Sequence, residues 1–176
     1  MPYYRCRSCE VTSYSAAGHS TVGLCPVCGV KLHDSNGHMP PDPALTRRFP
    51  ARPRAVSQAR RAVGALALDS ELRANLELVV SELVANSVCH AGQSAHDPRV
   101  LDAPIDLRVV QGDGEVHISV HDEGPGFDPQ DRGVSPNGGK RGLVIVEALT
   151  RAWGVDCGNG TPGCTVWCTI DVGSRA

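Results

Sequence analysis

Two pairs of cysteines open the chain. Cys6-Arg7-Ser8-Cys9 and Cys25-Pro26-Val27-Cys28-Gly29 are C-x-x-C knuckles separated by 15 residues. Each knuckle presents two thiolates to one ion, and two knuckles complete a tetrahedral sulfur set that suits Zn2+. Gly29 permits a tight turn after the second pair. His19, His33 and His38 are spare donors, because four thiolates already fill the shell. A module this small has little core, so metal binding would supply its folding free energy. The pattern reads as a zinc ribbon with a structural or protein-docking role. A nucleic-acid-binding ribbon needs a basic face, and Arg5, Arg7 and Lys31 provide only a sparse one.

A second set of residues lies further along. Glu82 and Asn86 are four apart, so on a helix they share one face. A carboxylate and an amide side by side can hold an octahedral Mg2+ and orient a hydroxyl; an amphipathic helix with a solvated Glu and Asn is the plainer alternative. Asp122 directly precedes Glu123-Gly124-Pro125-Gly126, where missing Cβ atoms let backbone approach a ligand closely; D-x-G-x-G is also an ordinary turn. Gly138, Gly139 and Gly142 surround Lys140 and Arg141 just before a predicted helix. Backbone amides at a helix start favour phosphate, and the glycines make a movable flap.

The elements that must position these groups follow from periodicity. Residues 1–35 show no sustained period, and residues 36–43, with three prolines, read as a linker. Residues 44–49 suit a short strand. Val56, Ala59, Val63, Leu66 and Ala67 recur at helical spacing, and Asp69 or Ser70 then offers an N-cap. Leu72, Leu76, Val79, Val80, Leu83, Val84 and Val88 mark one face of a helix running to about Ala91 and stopping at Gly92. Residues 105–110 and 116–120 read as a hairpin, 123–141 as loop and 143–152 as a helix. Residues 153–156 and 165–170 close as strands around a glycine-rich turn. The order predicts an α+β domain over residues 44–176, one sheet with helices on one face. Residues 93–103 form a connection longer than such a domain needs, read either as a partner-binding insertion or as a disordered loop.

Composition narrows the function classes. The 176 residues are 41% hydrophobic, enough for a packed core, and the net charge of −2 gives no global drive toward nucleic acid or anionic membrane. No apolar run approaches a membrane span, and no apolar stretch follows a basic start, so cytoplasm is the expected compartment. In that reducing setting the cysteines are not expected to form disulfides. Cys89 reads as a small, partly buried hydrophobe. Cys164 and Cys168, four apart, fall on one face of a strand, where packing is favoured over a second metal site.

Three ordered segments carry a family resemblance: Glu82-Leu83-Val84-Ala85-Asn86-Ser87-Val88-Cys89-His90-Ala91, Asp122-Glu123-Gly124-Pro125-Gly126-Phe127 and Gly138-Gly139-Lys140-Arg141-Gly142-Leu143. Together they resemble the GHKL ATPase superfamily, which includes gyrase, Hsp90, MutL and histidine kinases. Within it the chain is most similar to the short anti-sigma regulatory serine/threonine kinases, a likeness extended by Ala152-Trp153-Gly154-Val155 and Gly163-Cys164-Thr165-Val166-Trp167. The resemblance implies a Bergerat-type α/β sandwich with a mixed sheet, ATP and Mg2+ as cofactors, and phosphorylation of a serine or threonine on an antagonist protein. It also implies binding to a sigma factor or similar regulator, and a homodimer. On this reading Asn86 coordinates Mg2+, Glu82 is the general base, and Asp122 accepts from the adenine amino group beside Gly124 and Gly126. Gly138, Gly139, Lys140, Arg141 and Gly142 grip the phosphates, and Thr165 supports adenine. His90, one turn after Asn86, either approaches the phosphates or packs. A histidine kinase is disfavoured because the cysteine module stands where its phosphoacceptor hairpin would be. Two competing functions stay open: an idle ATP-binding module that controls a transcription factor by protein–protein binding, and a zinc-ribbon nucleic-acid binder with an ATP-sensing tail.

Overall fold

The structure, a computed structural model, describes residues 3–5, 12–15, 44–93, 103–112, 114–126, 141–157 and 163–172. Its elements in chain order are β1 (Tyr3–Arg5), β2 (Thr12–Ser15), β3 (Leu45–Pro50), α1 (Arg54–Gly64), α2 (Ser70–Gln93), β4 (Pro104–Gly112), β5 (Glu115–Asp122), α3 (Arg141–Leu149), β6 (Ala152–Cys157) and β7 (Cys164–Asp171). The strands form one sheet in the order β1-β2-β6-β7-β5-β4-β3. The expected α+β arrangement is present. The sheet is not mixed, however: every pairing among the described residues is antiparallel. Neighbouring strands run opposite to one another, while β5 and β6, each antiparallel to β7 between them, run parallel and are joined by the crossover that contains α3. The strands β1 and β2, for which no period exists in so few residues, add to the β6 edge through Tyr14↔Val155 and Ser15↔Gly154.

Period-two patterning sorts the sheet into two faces. Ile105, Leu107 and Val109 of β4, Val116, Ile118 and Val120 of β5, and Val166, Cys168 and Ile170 of β7 join the core with the helices. On α2, Leu72, Leu76, Val79, Val80, Leu83 and Val84 are buried at helical spacing, which fixes that helix against β5. Asp69 is its N-cap, its Oδ1 accepting from Leu72 N at 2.9 Å. The helix α1 stops at Gly64, short of Leu66 and Ala67, and α2 continues one residue beyond Gly92. The two helices are latched by Ser81, whose hydroxyl donates to Glu77 O at 2.6 Å and accepts from Arg60 Nε at 2.9 Å.

The opposite sheet face is polar and aromatic. His117, only 2% exposed, stacks on Trp167 with ring centroids 6.0 Å apart, and neither imidazole nitrogen has a hydrogen-bond partner among the described residues. Burial, and then the nearby charge of Arg108, lowers its pKa to about 3. His117 is therefore neutral in the folded protein at any pH above that value, whereas the unfolded chain protonates it below about 6.5. Between those limits the unfolded state binds the extra proton, so stability falls as pH falls. Replacing His117 with Phe should remove this dependence. Denaturant titrations at pH 6 and pH 5 should show the loss of stability on acidification shrink by roughly 1.4 kcal/mol per pH unit relative to wild type.

Candidate functional site

The helix α2 carries two different faces through the same turns. Leu83 and Val84 are fully buried, while Glu82 and Asn86 stand half-buried beside them. The carboxylate of Glu82 meets the first turn of α3, which packs on α2. A Cβ built on Gly142 would lie 2.5 Å from Glu82 Oε2 and 3.4 Å from its Cβ, so any other residue there would push the end of the Glu82 side chain aside. One turn on, Asn86 Nδ2 is buried with no hydrogen-bond partner among the described residues. A buried, unpaired amide needs an explanation, and a bound ligand is one. Rotating the carboxamide would present its oxygen instead, the atom suited to Mg2+.

The other end of the site forms where β5 stops. Asp122 is 6% exposed, and its Oδ1 accepts from Gly124 N at 2.9 Å. Its other oxygen has no hydrogen bond among the described residues and can accept a further donor such as an exocyclic amine. The bend after it depends on glycine. Gly126 has φ +71°, and any Cβ there would overlap the sulfurs of Cys157 and Cys164. Gly163 has φ +97°, and a Cβ there would overlap the carbonyl of Asp122. The turn entering β7 thus lies directly on the Asp122 backbone.

Strand parity corrects one expected assignment. His121 pairs with Thr165 and Asp122 with Cys164. Thr165 therefore faces the polar side of the sheet, away from Asp122, where its Oγ1 lies 3.1 Å from His121 Nδ1. Cys164 is the β7 residue opposite Asp122. It is bonded to Cys157 in the register pair across β6 and β7, with Cα atoms 4.3 Å apart. The expectation of no disulfide is overturned there, because paired strands bring these two side chains together regardless of compartment. The expected shared face of Cys164 and Cys168 is present. Cys168 is fully buried in the core and its thiol pKa is pushed up by burial. No cluster of metal-ligating side chains occurs among the described residues. Cys89 is exposed rather than partly buried. Gly138, Gly139 and Lys140, the side chains of His90 and Arg141, and Cys6, Cys9, Cys25 and Cys28 lie outside the described residues.

A cleft of about 560 Å³ opens elsewhere, lined by Asp69, Glu71, Asn75, Gln111 and Asp171 among others. It shares no residue with the site above, and its three carboxylates would repel a triphosphate.

The fold is shared with known proteins. One similar solved structure contains the RsbU and RsbW domains of a protein from Mycobacterium tuberculosis, with 24% identity and TM-score 0.51 over 76% of this chain and 33% of that one. Another is the histidine kinase domain of a blue-light activated histidine kinase from Erythrobacter litoralis, with 22% identity and TM-score 0.43 over 68% of this chain and 58% of that one. The chain thus spans a third to somewhat more than half of the structures it matches. No curated protein sequence matches it. The histidine kinase-like ATPase domain matches residues 49–170, most of the chain and all of the segments that form the site, and the protein belongs to that family.

Proposed function

We propose that this chain is an ATP-dependent regulator that phosphorylates a serine or threonine of a partner antagonist protein and binds a sigma factor or similar transcription regulator. The observation that carries the reading is the meeting of Glu82 with Gly142, one turn from the unpaired Asn86 amide. Glu82 would accept the proton of the attacking hydroxyl as its oxygen bonds to the γ-phosphorus and ADP leaves. Asn86 would hold Mg2+, which neutralises charge on the phosphates when bound. The free oxygen of Asp122 would accept from the adenine amino group, and the amide at the start of α3 would donate to phosphate. The flap of Gly138, Gly139, Lys140 and Arg141 belongs to the same proposal. The fold shared with a structure containing an RsbW domain supports the class of partner.

The N-terminal cysteines complete the reading. Cys6 and Cys9 fall in the segment joining β1 to β2, and with Cys25 and Cys28 they would hold one structural Zn2+. No described helix is long and apolar enough to cross a membrane.

Two measurements test these roles. In a phosphotransfer assay with Mg-ATP and a serine-bearing antagonist protein, Glu82→Gln should lower the rate by about 10²- to 10⁴-fold while leaving ATP affinity intact. An unchanged rate would remove Glu82 as base, and wild-type protein that binds ATP but labels no antagonist would favour control by binding alone. Elemental analysis of purified protein should find zinc at a one-to-one ratio that Cys25→Ser abolishes; metal-free, folded wild type would rule the ribbon out.

A further inference from the structure

The disulfide between Cys157 and Cys164 lies against the bend that the proposed function assigns to adenine. Gly126 touches both sulfurs, Cys164 is the register partner of Asp122, and Gly163, next to it, rests on the Asp122 carbonyl. The bridge therefore ties the end of β6 to the start of β7 at the point where β7 supports the base-binding turn. Cys157 is exposed, whereas Cys164 is 3% exposed. The pair has one sulfur that reagents can reach and one held under the bend.

We propose that Cys157 and Cys164 are a reversible redox site that sets the affinity of the neighbouring pocket for adenine nucleotides, with the disulfide form binding more tightly. The proposal rests on the reading of that pocket as an ATP site. The oxidant is a low-molecular-mass disulfide. The Cys157 thiolate attacks one of its sulfurs, forming a mixed disulfide and releasing one thiolate. The Cys164 thiolate then attacks the Cys157 sulfur, closing the internal bridge and releasing the second. Two electrons pass from the cysteines to the reagent, and the two thiol protons end on the two released thiolates. In the reverse direction, excess thiol opens the bridge. Cys157 is then free to turn to solvent, Gly126 loses one of its two sulfur contacts, and β6 and β7 are no longer joined covalently beside Asp122. A pocket that must order its own bend on binding holds ligand less tightly than one held in place.

The test titrates the full chain with Mg-ADP by calorimetry in three states: oxidised with glutathione disulfide, reduced with a phosphine, and reoxidised. Alkylation and mass measurement count the free thiols at positions 157 and 164 in each. Reduction is expected to weaken ADP binding by at least about fivefold, and reoxidation to restore it. Cys157→Ser should show the weaker affinity in every state. Equal affinity in the oxidised and reduced states would overturn the proposal while leaving the ATP site standing. The same holds if Cys157→Ser responds to reductant as wild type does, or if both thiols stay alkylatable after oxidation. No ADP binding in any state would instead refute the pocket itself, and the proposal with it.

Discussion

The burial of one apolar stripe of α2 on the antiparallel sheet decides where everything else stands. Leu76, Val79, Val80, Leu83 and Val84 are fully buried, so the helix cannot rotate about its axis without exposing them. At 3.6 residues per turn, Glu82 and Asn86 then fall at the margin of the buried stripe, half in and half out of solvent. Core packing and site geometry are thus one constraint. The start of α3 completes it from the other side, because glycine at position 142 leaves the Glu82 carboxylate in place where a larger residue would push it aside.

The far end of the site is held differently. There, three stretches of backbone converge at the end of β5, and two glycines with positive φ permit contacts that any Cβ would block. The disulfide occupies the place under the bend where other side chains of β6 and β7 would have to pack. The α2 end presents a carboxylate and an amide suited to a metal and phosphates. The β5 end presents a buried carboxylate with one oxygen already used by Gly124 and one to spare. A ligand with a triphosphate at one end and an amine-bearing base at the other matches both.

Much of this was legible in the residues. The spacing of Leu72 to Val84 fixes α2, Asp69 announces its start, and the alternation in residues 105–110 and 116–120 gives the β4–β5 hairpin that ends on Asp122. The near contact of Gly142 with Glu82 is long-range and has no local signal, although the glycine itself marks a position where close approach is allowed. Strand parity was the main source of error. Thr165 and Cys164 differ by one position, and only the pairing with β5 reveals that Cys164, not Thr165, shares the face of Asp122. The disulfide was equally hidden, because it depends on the register of β6 against β7. The three-residue β1 and four-residue β2 are too short to carry a period, and their place at the β6 edge is set by pairing alone.

The most direct measurement is a calorimetric titration of the oxidised 176-residue chain with Mg-ATP beside Mg-GTP. A pocket built on Asp122, Asn86 and Glu82 predicts saturable one-to-one binding of ATP and no measurable binding of GTP, whose base carries a carbonyl where adenine carries the amino group. Absence of heat with ATP in folded protein, or equal affinity for the two nucleotides, would contradict the account.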